Sequence, residues 1–350
     1  MIRNARGLTV PLQTLFVLVL VLLFQGCALP PQPQQQQPLA PPPEQDYTLR
    51  SDALPDIKPV IIKEGDTLQS LAEKYLGSAN ASWLIARFNG VSQVTPGQEI
   101  IIPLEPFVLA GLTPNGYQTV PVLTYHNFSE NRHNLMMVTR SGFESQMRYL
   151  KENGYTPITL DTLFDFLDFK KEIPEKSVVI TIDDGWRGVY EIAYPILKQY
   201  GFPATLFVYP DFIGGGKKAL DWRMLAELDK GGVDVQCHTK SHRDLNKIKE
   251  QESFQQYVSE IEKEIAECAA TLNNRLNKNV RYLAYPYGEA NNLAVAFLRK
   301  NGFRGAFTVK RDSNPFFTDH YMLNRSMIYG DFDLQAFGKN LETYSNEALR

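Results

Sequence analysis

The chain has little cysteine, no excess of basic residues and only a short apolar run near its start. Three cysteines among 350 residues exclude a disulfide scaffold. Lysine and arginine number 36 against 39 aspartates and glutamates, and this balance argues against a general nucleic-acid binder. The apolar run at residues 15–24 is too short for a membrane-spanning helix, which needs about 20 such residues.

The length and the average composition describe a folded protein of about two domains. At roughly 100–200 residues per domain, a chain of 350 residues favours two units. Apolar residues make up 43% and charged residues 21%, as in ordinary globular proteins, which excludes a long disordered chain. The start of the chain departs from this average, because it contains no acidic residue before Glu44.

The first residues have the layout of an export signal. Arg3 and Arg6 precede the apolar run and small residues follow it, so residues 1–26 are predicted to be a secretory signal peptide. The sequence Leu22-Leu23-Phe24-Gln25-Gly26-Cys27 resembles a bacterial lipobox, which implies that Cys27 is lipidated and becomes the new N-terminus. The alternative is an ordinary signal peptide cut nearby, with Cys27 incidental.

Residues 27–56 are predicted to be a Pro/Gln-rich linker. Between Pro30 and Pro43 the chain is almost entirely proline and glutamine, a composition that cannot bury a core and stays extended. Such a linker suits a folded part held away from a membrane by a lipid on Cys27. Ala28 stands where an aspartate would favour the inner membrane, so the outer membrane facing the periplasm is the preferred location.

Residues 57–104 are predicted to form a small module with the order strand, helix, helix, strand. The segments 58–63 and 99–103 have the composition of short strands. Asp66 or Thr67 can cap a helix whose apolar residues begin at Leu68.

This βααβ module resembles a LysM module. The matching residues are Gly65-Asp66-Thr67-Leu68, Ala72 and Tyr75, Asn89, Pro96-Gly97 and Ile102-Pro103. The resemblance implies binding to glycans that contain N-acetylglucosamine, with contacts assigned to Gly65, Asp66, Thr67 and Asn89. Each of these four residues taken alone is more readily explained by a structural role.

Residues 115–350 alternate strands with helices, which predicts a parallel α/β sheet long enough to close into a barrel. The predicted strands are 119–125, 176–182, 204–209, Val233–Cys237, 282–285 and 305–309. The predicted helices include 189–200, Phe254–Leu276 and a last one at 333–344. In such barrels the chemistry lies at the carboxyl ends of the strands.

Three polar clusters follow predicted strands: Asp183-Asp184-Gly185, His238-Thr239-Lys240-Ser241-His242 and Pro286-Tyr287-Gly288. A helical turn after the fourth strand would place the two imidazoles on one side of the backbone. One carboxylate would complete a two-histidine-one-carboxylate metal site, and the second aspartate could then act as a base. Each cluster alone is weak evidence, because Asp-Asp-Gly is most often a turn. Their joint placement carries the inference.

These clusters resemble the motifs of NodB-homology polysaccharide deacetylases, carbohydrate esterase family four. Thr181-Ile182-Asp183-Asp184-Gly185 is similar to the first family motif, and His238 to His242 is similar to the second. Val120-Pro121-Val122-Leu123-Thr124-Tyr125-His126 is similar to the opening strand. The resemblance implies a distorted (β/α) barrel and metal-dependent removal of acetyl groups from N-acetylated sugars.

The resemblance also assigns roles by position. Asp183 is the expected general base, and the backbone N–H of Tyr287 is expected to stabilise the oxyanion. The expected metal ligands are Asp184, His238 and His242. The expected metal is a divalent cation, Zn²⁺ first, with Co²⁺, Ni²⁺ and Fe²⁺ as alternatives.

Two positions depart from the family pattern. Ala284 stands where the third motif has a base-orienting arginine, and Arg325 stands where the fifth motif has the histidine that acts as an acid. Arg325 is therefore a candidate to replace the missing arginine. His126 and His320 are candidates for the general acid, and either could be structural.

The leading hypothesis is an exported, lipid-anchored hydrolase that removes N-acetyl groups from an N-acetylglucosamine polymer, either peptidoglycan or poly-N-acetylglucosamine. The second hypothesis is a catalytically silent glycan-binding envelope lipoprotein, which the two missing motif residues would explain. A glycosidase is the weakest alternative, because it needs a separated pair of carboxylates rather than adjacent ones.

Overall fold

The computed structural model describes residues 57–104, 111–113 and 116–347. The predicted signal peptide, the lipidation site Cys27 and the linker 27–56 lie outside these residues. Within the described part, each helix is too short or too polar to cross a lipid bilayer.

The small module has two strands and two helices in the predicted order. Strand β1 (Ile57–Ile61) pairs antiparallel with β2 (Glu99–Pro103). Helices α1 (Leu68–Leu76) and α2 (Ser82–Phe88) contribute apolar residues to a core of their own with β2. Thr67 begins α1, because its hydroxyl accepts the N–H of Ser70 while the Ser70 hydroxyl accepts the N–H of Thr67.

The larger domain alternates strands and helices. Its strands are β3 (Leu112–Thr113), β4 (Gly116–Tyr125), β5 (Asn127–Ser129), β6 (Met137–Thr139), β7 (Thr156–Pro157), β8 (Ser177–Asp184), β9 (Ala204–Val208), β10 (Val233–Cys237), β11 (Tyr282–Ala284), β12 (Gly305–Phe307), β13 (Ser313–Pro315), β14 (Ser326–Met327) and β15 (Tyr344–Ser345). Its helices are α3 (Arg140–Glu152), α4 (Leu160–Leu167), α5 (Tyr194–Tyr200), α6 (Trp222–Lys230), α7 (Phe254–Leu276), α8 (Asn292–Lys300) and α9 (Leu334–Gly338).

Six strands form a parallel sheet in the order β4, β8, β9, β10, β11, β12. Beyond β12, Leu323 forms a parallel bridge with Phe307, and three residues later β14 pairs in parallel with β4. This return segment brings the last strand back to the first one. The predicted distorted (β/α) barrel is therefore confirmed.

Two apolar cores lie on the two sides of the curved sheet, because successive strand residues face opposite ways. Outward-facing residues pack under helices α3, α5, α6, α7 and α8. Inward-facing residues such as Val122, Val179 and Phe207 form the second core together with α4, which closes the barrel at the amino ends of the strands. Asp183 shares the inward face of β8 with Val179, so its carboxylate lies inside the barrel at the opposite, carboxyl end.

The last helix is shorter than the sequence predicts. The prediction of a helix over 333–344 is wrong beyond Gly338, where α9 ends. The side-chain amide of Asn340 donates to the carbonyls of Ala336 and Phe337, which satisfies the end of the helix. Tyr344 then joins β15, which pairs with β4.

Two cysteines lie in the larger domain. Cys237 ends β10 and Cys268 lies on α7, and the sequence leaves open whether they pair. Both side chains are fully buried between the sheet and the helices.

Candidate active site

Asp183 and Arg325 form a buried ion pair inside the barrel. The two guanidinium nitrogens of Arg325 donate to the two carboxylate oxygens of Asp183, each at 2.8 Å. The Arg325 Nε also donates to the carbonyl of Thr308 at 2.9 Å, and its side chain is fully buried. This bidentate geometry fixes the orientation of the carboxylate. The arginine comes from the return segment, two residues after the bridge at Leu323.

The Asp183 carboxylate keeps its negative charge although it is buried. Burial is the largest influence and would raise the pKa of Asp183, but the Arg325 guanidinium and nearby histidines outweigh it, so the pKa is lowered. Asp183 is therefore ionised at neutral pH, which is the state a general base requires.

Asp184, His238 and His242 converge beside this ion pair. The Nε2 of His242 lies 3.4 Å and the Nε2 of His238 lies 3.7 Å from the Oδ1 of Asp184. One potential ligand atom from each residue lies within 4.8 Å of the other two. The sequence predicts these three residues to be metal ligands, and in the structure they form one cluster.

The surroundings prepare His238 to act as a ligand. Its Nδ1 lies 2.8 Å from the carbonyl oxygen of Ala284, and a proton on that nitrogen leaves Nε2 unprotonated and facing Asp184. Burial, the largest influence, lowers the pKa of His238 despite the nearby Asp183 and Asp184 carboxylates, so the ring is neutral at neutral pH. The Trp186 indole holds the other oxygen of Asp184 at 2.8 Å.

The donor atoms fit a divalent metal ion. Ligands about 2.0–2.1 Å from Zn²⁺ in a tetrahedral arrangement are separated by roughly 3.3 Å, close to the separations seen around the Asp184 Oδ1. Two imidazoles and a carboxylate are also a donor set used by zinc hydrolases, with further positions left for water and substrate. The cluster can therefore hold a metal with little rearrangement.

The segment that carries both histidines is not helical. Thr239 and His242 have φ angles of 60° and 63°, which lie in the left-handed region that non-glycine residues rarely adopt. The expectation of a helical turn here is wrong. The two imidazole rings nevertheless approach to 4.7 Å between centroids, because the loop folds back on itself.

A cavity of about 700 Å³ opens beside the cluster. Asp184, Trp186 and His126 are among the residues that line it, and so are Lys217 and Lys218. Burial, the largest influence, lowers the pKa of His126 against the opposing effect of Asp183 and Asp184. His126 thus lies in the cleft, as a candidate acid must.

Aromatic side chains surround the other side of the cluster. Tyr209 packs on the His242 ring at 5.1 Å and on Phe212 at 5.2 Å, and Phe212 packs on Trp186 at 4.9 Å. Tyr287 contacts the His242 ring at 4.9 Å, is 64% exposed and has a φ of 62°. Of these residues the sequence prediction included only Tyr287 as a site residue. Trp186 directly follows the Asp-Asp-Gly motif, and this position is the one feature of the sequence that could have indicated a further aromatic site residue.

His320 lies at the other end of the barrel. Its ring packs on Phe164 of α4 at 5.3 Å, and its Nε2 lies 3.7 Å from Asp168. Because α4 closes the amino ends of the strands, His320 is remote from the cluster at the carboxyl ends. Its prediction as a candidate general acid is therefore wrong.

The residues assigned to glycan contact in the small module have structural partners. The Asp66 carboxylate accepts the N–H of Lys63, and Thr67 caps α1. The Asn89 amide exchanges hydrogen bonds with the backbone of Ile101 and donates to Ile85, which ties α2 to β2. Gly65 has a φ of 86° in the same turn as Asp66. Their contact with glycan stays a prediction.

Comparison with known proteins gives two family matches and close relatives. Residues 170–306 match the polysaccharide deacetylase family and residues 60–103 match the LysM domain. The poly-β-1,6-N-acetyl-D-glucosamine N-deacetylase of Staphylococcus epidermidis is 31% identical over 199 residues, which are 55% of this chain and 68% of that protein. The chain belongs to the polysaccharide deacetylase family. This chain is therefore a deacetylase, which is a hydrolase, and it also carries a LysM domain.

Solved structures agree with the deacetylase fold. IcaB from Ammonifex degensii superimposes with a TM-score of 0.57 and 25% identity, covering 65% of this chain and 99% of that one. The Streptococcus pyogenes deacetylase PplD, in complex with acetate, gives a TM-score of 0.58 and 24% identity, covering 64% and 98%. The deacetylase barrel of this chain therefore has the family architecture over nearly the full length of both structures.

Proposed function

We propose that this protein is a metal-dependent N-deacetylase of poly-β-1,6-N-acetylglucosamine. The observation that carries the proposal is the Asp184, His238 and His242 cluster next to an ionised, arginine-held Asp183. The substrate follows from the Staphylococcus epidermidis relative, whose name states this polymer. The catalytically silent alternative rested on a missing arginine and a missing histidine. Arg325 supplies a guanidinium at the base from another part of the chain, and His126 is the candidate to take the place of the histidine.

The proposed reaction is hydrolysis of the amide bond between the acetyl group and the sugar nitrogen. A divalent metal held by Asp184, His238 and His242, with Zn²⁺ as the best match to the donors, would supply Lewis acidity at the acetyl carbonyl. Asp183 accepts a proton from the attacking water, because its carboxylate is ionised and fixed by Arg325. The C–N bond breaks, acetate leaves, and the sugar nitrogen gains a proton to become a free amine.

Two further residues complete the proposed site. His126 lies in the cavity wall beside Asp184 and is proposed to protonate the leaving nitrogen. The Tyr287 side chain packs on His242. The backbone N–H of Tyr287 is proposed to stabilise the negative charge on the acetyl oxygen.

The rest of the chain would deliver this chemistry to the cell envelope. We propose that 1–26 is a signal peptide, that Cys27 carries a lipid, and that 27–56 is a spacer. The module at 57–104 would bind an N-acetylglucosamine polymer for the barrel at 115–350. A Cys27→Ser variant should then leave the membrane fraction while it retains deacetylase activity.

Peptidoglycan is the second candidate substrate, because a LysM domain accompanies the barrel. Mass spectrometry separates the two candidates. Purified protein loaded with Zn²⁺ is incubated with poly-β-1,6-N-acetylglucosamine oligomers, with peptidoglycan strands and with chitin oligomers. We expect a loss of acetyl mass from the β-1,6 oligomers with the wild type and none with Asp183→Asn. Acetyl loss confined to peptidoglycan would transfer the proposal to that substrate, and an unimpaired Asp183→Asn would refute the mechanism.

A further inference from the structure

The loop between the two histidine ligands is held from outside the barrel by a single carboxylate. Glu264 lies on α7 and is only 7% exposed. Its Oε2 accepts the backbone N–H groups of Lys240 and Ser241 at 3.0 and 2.9 Å, and its Oε1 accepts the Ser241 hydroxyl at 2.5 Å. Three hydrogen bonds thus converge on the middle of the segment His238 to His242.

This loop needs such support because its backbone is strained. The left-handed conformations of Thr239 and His242 are unfavourable for residues other than glycine and persist only when the surroundings impose them. Glu264 holds the two residues between these positions. The Lys240 carbonyl also accepts the N–H of Asp211 at 3.1 Å, which is a further restraint on the loop.

The Lys240 side chain pairs with a different glutamate from the one that binds the loop backbone. The Lys240 ammonium pairs with Glu267, three residues further along α7, at 2.8 Å. Glu267 is half exposed, whereas Glu264 is buried and binds backbone groups. A carboxylate that accepts several backbone N–H groups makes strong, charge-assisted hydrogen bonds. The two glutamates therefore have different partners on the same helix.

We propose that Glu264 is a positioning residue of the metal site. It holds Lys240 and Ser241 in the conformation that directs the Nε2 atoms of His238 and His242 at the Oδ1 of Asp184. The inference rests on the proposed function in one respect, that these three side chains are metal ligands. Groups that orient ligands from behind typically contribute 10–100-fold to metal affinity.

The test measures metal affinity in the full chain, by competition for Zn²⁺ with a chromophoric chelator. Glu264→Ala should weaken affinity by about 10–100-fold. Glu264→Gln should recover most of it, because its amide oxygen can accept both backbone N–H groups and its NH₂ can donate to Ser241. Glu267→Ala is the matched control on the same helix and should retain wild-type affinity.

A second variant covers the case in which Glu264→Ala does not fold. Ser241→Ala removes one of the three hydrogen bonds and leaves Glu264 in place, and it should weaken affinity by about 3–10-fold. Wild-type affinity in either Glu264→Ala or Ser241→Ala would overturn the proposal, as would an equal loss in Glu267→Ala. If the wild type itself bound no Zn²⁺, the proposed ligand set would have failed. A wrong polysaccharide would leave these affinities unchanged.

Discussion

The two ends of the barrel both gather aspartate, arginine and histidine, yet they are built for different purposes. At the carboxyl end, Asp183 pairs with Arg325 and Asp184 faces two imidazoles. At the amino end, Arg304 bridges Asp165 and Asp168 at 2.7 and 2.8 Å, and His320 lies beside Asp168. Residue types alone do not distinguish the two clusters.

The difference lies in how the negative charge is balanced. Burial, the largest influence, would raise the pKa of Asp168, but Arg304 and Lys170 lower it, so its charge is met by cations already present. Within the described residues, Asp184 faces the Nε2 atoms of His238 and His242 at 3.7 and 3.4 Å, and burial lowers the pKa of His238 so that its ring is neutral. The Asp184 carboxylate faces imidazole nitrogens and can still bind a metal ion, whereas the Asp168 carboxylate is already paired with a guanidinium and an ammonium group.

The largest effect is expected from removing the charge of Asp184. Asp184→Asn should lower Zn²⁺ affinity by more than about 100-fold, the upper end of what outer groups contribute, and abolish acetate release. Asp168→Asn, its counterpart at the amino end, should change neither by more than about twofold. Equilibrium dialysis with metal analysis gives the comparison, and equal losses in the two variants would show that the two ends do not differ as described.

Arg325→Met should expose the cost of an unpaired buried charge. Loss of the guanidinium leaves Asp183 buried without a partner, which costs about 3–5 kcal/mol of unfolding free energy. The pKa of Asp183 should rise, so the base would be protonated at higher pH and the acid limb of the kcat/KM profile should move upward. Urea unfolding and a pH–rate profile check both effects. Arg325→Lys, which keeps the charge, should show a smaller shift.

His126 and His320, the two candidates for the general acid that the sequence could not rank, give a matched pair of variants. His126→Asn should reduce kcat by about 100-fold, the lower end of the range for general acid catalysis. His320→Asn should leave kcat within about twofold, because His320 lies at the closed end of the barrel. Steady-state acetate release measures both. A large loss in His320→Asn with none in His126→Asn would reverse the assignment.

The smallest effect is expected at the amino end. Arg304→Met removes hydrogen bonds to two partly exposed aspartates and should cost about 1–2 kcal/mol of unfolding free energy. Zn²⁺ affinity and kcat should stay at wild-type values in the protein that remains folded. Chemical unfolding and a metal titration of the same sample test this separation, and a weakened metal site would contradict it.

Much of the candidate site could be predicted because its residues follow apolar strands directly. Asp183 and Asp184 end β8, and His238 follows β10. The carboxyl ends of parallel strands meet at one edge, so strand prediction was enough to bring these residues together. The fold class follows from the same alternation of strands and helices.

The rest depended on contacts that are distant in sequence. Arg325 reaches Asp183 because the return segment pairs with β12 on one side and β4 on the other, a register that local patterns do not specify. His320 precedes the return segment and lies at the amino end of the barrel, away from the metal-ligand cluster. The same long-range register determines its position. The support from Glu264 requires the packing of α7 against β10, and the end of α9 depends on the Asn340 side chain.

The central claim is that the cluster at the carboxyl end of the barrel binds one metal and performs deacetylation. The most direct measurement titrates metal-free protein with Zn²⁺ while acetate release from β-1,6-linked N-acetylglucosamine oligomers is followed. We expect activity to rise from background to a plateau at one Zn²⁺ per chain, with no rise in Asp184→Asn. Undiminished acetate release by the metal-free protein in the presence of chelator, or a full response in Asp184→Asn, would contradict the account.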